Sequence, residues 1–112
     1  MICEINKLQC LFCSLQQQNT FLYRDECFFI IKDKHPKAKH HYLIVTIKHI
    51  TNLLHIKYED FRIMQSMFKC VYYLQTMFRF KNMQITINNG KPYQEIMHFH
   101  AHVMSDSIHE KR

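Results

Sequence analysis

The chain has 112 residues, 47% of them apolar, and carries 15 Lys and Arg against 9 Asp and Glu. That length builds one compact core and is short for two, so residues 1–112 are read as a single domain. A single Gly, two Pro and no Ser-rich, Pro-rich or acidic tract argue against a linker or a long disordered stretch, and no apolar run approaches the ~20 residues of a membrane-spanning helix.

Met1-Ile2-Cys3-Glu4-Ile5-Asn6-Lys7 alternates polar with apolar residues and lacks the unbroken apolar stretch of a signal peptide, so a soluble, non-secreted protein is expected. Five cysteines without such a signal point to a reducing cytoplasmic or nuclear compartment, with thiols free or metal-bound and no disulfides. Cys10-Leu11-Phe12-Cys13 is a Cys-x-x-Cys pair. Because structural zinc takes four ligands, the pair alone is half a zinc site or simply two reduced thiols. No strand-to-helix context of the thioredoxin kind surrounds it, which argues against a redox role. Cys3, Cys27 and Cys70 belong to no partner pattern.

Residues 20–23 supply a short strand, and Cys27-Phe28-Phe29-Ile30-Ile31 reads as a buried one, rich in aromatic and β-branched side chains. Residues 41–47 have the same character and pair antiparallel with it across the turn marked by Pro36. Between them, Lys32 to His41 is strongly basic, either a phosphate-attracting segment or a solvated loop. A short helix is expected near 51–54. Over 58–80 the residues Phe61, Met64, Phe68, Val71 and Phe78 recur at helical spacing, predicting one long amphipathic helix whose Met and Phe residues pack in the core. Residues 83–87 give a further strand, Asn88-Asn89-Gly90-Lys91-Pro92 a turn, and 96–104 the last strand. About five antiparallel strands with one long and one short helix make an α+β fold.

In His98-Phe99-His100-Ala101-His102 the histidines alternate with apolar residues. A strand places all three imidazoles on one face at ~6.8 Å intervals and sends Phe99, Ala101 and Val103 into a core, whereas a helix scatters them. Three imidazoles on one face bind metal, bind phosphate or carry out nucleophilic and acid–base chemistry. Repulsion disfavours charging all three, and a neutral imidazole nitrogen is a competent nucleophile toward phosphorus. A His-rich metal tract and a polar strand face in a His-rich chain are the competing readings.

This pattern, followed by Val103-Met104, resembles the signature of the histidine-triad (HIT) family. The resemblance extends upstream through Cys27-Phe28-Phe29 to Asp33, Pro36-Lys37-Ala38, His41-Tyr42-Leu43-Ile44-Val45 and His49-Ile50, and so covers nearly the whole chain. Its His40 to Val45 segment is particularly similar to the Hint-type branch, including its third type. The resemblance implies a HIT-like fold in which His100 attacks the α-phosphorus of a nucleotide conjugate. It also implies that His102 and His41 contact phosphate, Asp33 accepts the ribose hydroxyls, and Asn88 and Gln94 lie near the phosphate. Phe12, Phe29 or Ile30, and Leu43 are implied as apolar walls around a purine, the ordinary core role being as probable for Phe12 and Phe29.

A structural zinc completed by His49 and His98 beside Cys10 and Cys13, and a homodimer, are implied by the same resemblance. The activity implied is hydrolysis of purine nucleoside phosphoramidates or aminoacyl adenylates. Dinucleoside polyphosphates or adenylated DNA ends are alternative substrates, nucleic acid being less favoured, and a catalytically weak nucleotide-binding scaffold is an alternative of another class. Glu95 stands where family members commonly carry Ser or Thr, and the loop from Asn88 to His98 is about one residue short. Both departures bear on the leaving group.

Overall fold

The computed structural model describes residues 10–16 and 20–110. The sequence reading of Met1 to Lys7, Cys3 included, falls outside them. Five strands, β1 (Tyr23–Arg24), β2 (Phe28–Lys32), β3 (His40–Thr46), β4 (Gln84–Ile87) and β5 (His100–Ser105), form one antiparallel sheet in the order β1-β2-β3-β5-β4. Among the described residues two α-helices accompany it, α1 (Leu11–Leu15) and α2 (Arg62–Phe78). This is the expected α+β architecture.

The β1–β2 turn is set by Asp25, whose Oδ1 accepts the backbone N–H groups of Cys27 and Phe28, both at 2.8 Å. Such an Asx arrangement satisfies donors that the turn would otherwise leave free. From there, strand alternation divides the apolar residues between two faces. Phe28, Ile30, Tyr42, Ile44, Phe99, Ala101 and Val103 pack with Met67, Cys70, Val71 and Leu74 of α2 in the main core. Phe29, Leu43 and Val45 point the other way and form a second cluster with Phe12 of α1.

Four elements differ from their sequence outlines. The strand expected at 20–23 shares only Tyr23 with β1. The long helix is shorter than 58–80, because Tyr58–Asp60 closes a separate 3-10 turn before it and Arg79, in the left-handed conformation at φ 57°, ends it. Phe61 and Phe68 face outward, 67% and 58% exposed, while Met67, Cys70 and Leu74 are buried. The helix carries a second apolar stripe, Phe61-Phe68-Tyr72, and periodicity alone does not say which stripe meets the sheet. The short helix expected at 51–54 is a 3-10 turn, Leu53–His55, with the Asn52 side chain accepting the Leu54 N–H.

The last strand starts at His100 and not at residue 96, because the preceding backbone curls. The Ile96 carbonyl accepts the His98 N–H and the Gln94 side-chain amide, both at 2.9 Å, which takes it out of the ladder. The N-terminal turn α1, unanticipated in sequence, has no side-chain cap but buries Phe12 and Cys13. No helix of the described residues is long and apolar enough to cross a membrane.

Leu74 is fully buried where α2 meets the sheet. Leu74→Ala is expected to cost ~2–5 kcal/mol of folding stability, read as a lower urea midpoint at unchanged slope.

Candidate active site

On the sheet face opposite α2, β3 and β5 set Leu43 beside His102 and Val45 beside His100. His98 precedes β5 in the curled segment, fully buried. The three triad side chains therefore share a side of the molecule without sharing one regular strand, and the rings of His100 and His102 approach to 5.1 Å.

Backbone contacts assign a tautomer to His98, His100 and His41, because a carbonyl only accepts and a peptide N–H only donates, and His41 then fixes that of His102. His100 donates its Nδ1–H to the carbonyl of His98 at 2.8 Å, so its Nε2 holds a lone pair. His98 donates Nε2–H to the Thr46 carbonyl at 2.8 Å, leaving Nδ1 unprotonated. His41 Nδ1 accepts the Lys37 N–H at 3.1 Å, so its proton sits on Nε2, 2.9 Å from His102 Nδ1 and 3.2 Å from Asp33 Oδ2. His102 Nδ1 is the acceptor of that contact, and its Nε2 carries the remaining proton. The face thus presents a lone pair on His100 next to an N–H on His102.

Burial favours the neutral form of the His98, His100 and His102 rings. Desolvation, helped by the neighbouring His100 and His41 and opposed by Asp33, pulls His102 down to about 4. Burial likewise pulls His98 to about 4 and lowers His100 and His49. For His100 the bond to the His98 carbonyl and the charges of Asp33 and Glu95 work against that shift.

A second cluster lies behind the triad. Cys10 Sγ is 3.3 Å from His98 Nδ1, Cys13 Sγ is 3.7 Å from the same atom, and Cys13 Sγ is 3.3 Å from His49 Nδ1. Zinc bonds of ~2.3 Å to sulfur and ~2.0–2.1 Å to nitrogen require tetrahedral S···N edges of about 3.5 Å, so the four residues fit such an ion. The bond from His98 to the Thr46 carbonyl is the outer contact typical of a metal-bound imidazole. Asp33, His41 and His102 also gather within 4.8 Å. There the proton on His41 Nε2 occupies the position a metal would need, and the group is a hydrogen-bonded relay.

The remaining sequence candidates divide. Asp33 accepts the His35 N–H through Oδ1 at 2.8 Å and turns Oδ2 toward His41. Leu43 is on the site face at 7% exposure, whereas Phe12 and Phe29 on that side are 1% and 0% exposed and form packing beneath it, not an open wall. Ile30 faces the opposite core, since strand alternation sends it away from Phe29, and it cannot line the site. Half-buried Asn88 follows β4, and its neighbour Asn89 accepts the Leu53 N–H at 2.8 Å. Gln94 is buried with its amide saturated. Its Oε1 accepts from Asn52 and from Gly90 N–H, and its Nε2 donates to the carbonyls of Thr51 and Ile96. It braces the loop and has no group left for a ligand. Glu95 beside it is exposed.

Two site-face residues were missed. Half-buried Ile31 pairs with Leu43, and half-buried Thr86 on the edge strand pairs with His102. Counting in twos from Phe29 and back from Asn88 would have reached both. A groove of about 460 Å³ between the β1–β2 turn and α2, lined by Glu26, Cys27, Asp60, Arg62, Ser66 and Lys69, contains none of these histidines.

The family model of the HIT domain matches residues 14–109. The chain belongs to the HIT family. An uncharacterized HIT-like protein of Chlamydia trachomatis serovar D is 33% identical over 89 residues, 78% of this chain and 80% of the relative. Adenosine 5'-monophosphoramidase HINT3 of Danio rerio is 27% identical over 103 residues, 86% of this chain and 64% of the relative. Among solved structures, a HIT family hydrolase from Clostridium thermocellum superposes with a TM-score of 0.82 at 26% identity, covering 92% of this chain and 95% of that one. A zinc-bound histidine triad family protein from Mycobacterium smegmatis gives 0.74 at 24% identity, covering 90% and 77%. The domain is therefore HIT hydrolase-like.

The neutral His102 of this HIT domain has a consequence for acid stability. An unfolded chain takes up its proton near the ordinary value of 6.5, and the folded one only near 4, so between these values the unfolded state binds more protons. The His102 contribution is complete above pH 6.5 and is lost as pH falls toward 4. Urea titrations across that range, with the His102 ring followed by NMR, are expected to show falling stability and a neutral ring down to about pH 5.

Proposed function

We propose that this HIT domain cleaves the α-phosphorus bond of purine nucleotide conjugates, nucleoside phosphoramidates or aminoacyl adenylates, through a nucleotidyl-histidine. The observation that carries the reading is the pairing of an unprotonated His100 Nε2 with a protonated His102 Nε2 on one face. His100 Nε2 donates its lone pair to phosphorus as the bond to the leaving group breaks; an amine takes up a proton from water as it departs, and an aminoacyl adenylate releases its carboxylate. The His102 N–H steadies the charge growing on the non-bridging oxygens. Water then attacks phosphorus, gives up a proton and releases the nucleoside monophosphate, restoring His100. The name of the Danio rerio relative, an adenosine 5'-monophosphoramidase, supports an amine leaving group, and supports the Hint-type branch.

In this reading Asp33 exchanges its His41 contact for the ribose hydroxyls, Ile31 and Leu43 wall the base, and Asn88 meets the phosphate. Zinc is held by Cys10, Cys13, His49 and His98, a role supported by the zinc-bound relative and by the donor spacing. When bound it supplies a tether, joining α1 to the segment that leads into β5. The outward stripe Phe61-Phe68-Tyr72 supports association of two copies. The whole chain is read as one HIT domain in a reducing compartment.

Incubation with adenosine 5'-phosphoramidate is expected to yield AMP, and rapid quenching to trap one nucleotidyl group on the protein by mass spectrometry. His100→Ala should abolish the adduct and lower kcat at least ~10⁴-fold while AMP still binds. The exposed Glu95, whose charge reaches His100, favours a second reading as a weak catalyst that holds nucleotides. Wild type that binds AMP without adduct or turnover would establish it. Preference for diadenosine polyphosphate or adenylated DNA over the amidate would reassign the leaving group. Elemental analysis is expected to find about one zinc per chain, and chelation to lower the melting temperature.

A further inference from the structure

The turn α1 carries both thiols of the Cys2His2 cluster, one immediately before it and one within it, and holds Phe12 between them. The Phe12 ring, 1% exposed, packs edge-to-face against two imidazoles. It lies 5.7 Å from the His98 ring at 89° and 5.0 Å from the His100 ring at 68°. His100 is fixed at one atom by its bond to the His98 carbonyl. A single hydrogen bond leaves a ring free to swing about that anchor, and the rings packed against it, His102 at 5.1 Å and Phe12 at 5.0 Å, close the swing.

An isolated helix of five residues does not persist in water. The position of α1 is therefore set by what docks it: the packing of Phe12 on Phe29, Leu43 and Val45, the contacts of Cys10 and Cys13 with His98 and His49, and the 2.6 Å bond from Gln16 Nε2 to the Ile47 carbonyl. We propose that Phe12 is a positioning residue through which the Cys10/Cys13/His49/His98 centre holds the His100 imidazole in its nucleophilic orientation. The metal centre and the nucleophile are then one mechanical unit. The inference rests on the nucleotidyl-transfer reading above.

Phe12→Leu keeps most of the volume and removes the ring. In the zinc-loaded full chain it is expected to retain its zinc, keep KM for adenosine 5'-phosphoramidate within about threefold and lose ~10–100-fold in kcat. The His100 ring nitrogens, followed by NMR, should change from one tautomer to an average of two. Stripping zinc from the wild type should produce the same change in the His100 signals, without any substitution. Unchanged kcat and ring signals in Phe12→Leu would overturn the proposal. So would loss of zinc together with turnover in that variant, which makes Phe12 a folding residue, or wild-type His100 signals indifferent to zinc removal. Wild type without turnover refutes the hydrolase reading alone, and the ring signals then decide the positioning role.

Discussion

The pairing of β3 with β5 is the constraint on which the rest of the molecule depends. Its register puts Val45 beside His100 and Leu43 beside His102, while Ile44 and Ala101 meet on the opposite face beneath α2. A slip of one residue would send the histidines into the apolar core and the core residues into the site. The burial of Phe28, Ile30, Tyr42, Ile44 and Val103 against the helix therefore also holds the chemistry in place, at ~1.5–3 kcal/mol for a fully buried large apolar side chain. Fold stability and site geometry are one quantity here.

Given that register, the backbone decides what each imidazole can do. The carbonyls of His98 and Thr46 accept hydrogen bonds from His100 Nδ1–H and His98 Nε2–H, and the Lys37 N–H donates to the Nδ1 lone pair of His41. Neutral imidazole has one donor and one acceptor, so assigning one nitrogen assigns the other. Three residues of the same type become two acceptors, at His98 Nδ1 and His100 Nε2, and a donor, at His102 Nε2. Burial reinforces the division by keeping the rings uncharged. The same logic separates the two His-containing clusters: lone pairs can converge at the Cys2His2 group, while a proton already bridges the Asp33 group.

The rim is built by residues that touch no imidazole. Gly90, at φ 77°, turns the chain after β4, and Gln94 spans back to Thr51, Asn52, Gly90 and Ile96 with every amide valence used. A buried amide satisfied in this way is costly to disturb. It explains the curl that delivers His98 to the cysteines and leaves Glu95 outside on a braced backbone. On the other side, the basic segment reaches the site through Lys37, whose N–H donates to His41 and whose charge helps depress His102.

Much of the fold was legible in sequence, because its signals are local. Apolar runs rich in β-branched and aromatic residues at 27–31 and 41–47, turn residues between them and a helical stripe over 58–80 are each read within a few neighbouring residues. The alternation of His98, His100 and His102 likewise announced one chemical face. What failed was set by contacts distant along the chain. The helix offered two apolar stripes and only packing chose Met67 and Leu74 over Phe61 and Phe68. Ile30 was a candidate wall until the β2–β3 register put it on the other side, and Gln94 was a ligand contact until its partners at 51, 52, 90 and 96 consumed it. By itself, then, the sequence determined the residue types and the face on which they gather, since side-chain alternation is a property of a strand wherever it lies. Tertiary structure alone decided the proton on each ring, the closure of α1 over His100 and the convergence of two cysteines with His49 and His98, because these depend on atoms brought together from opposite ends of the chain.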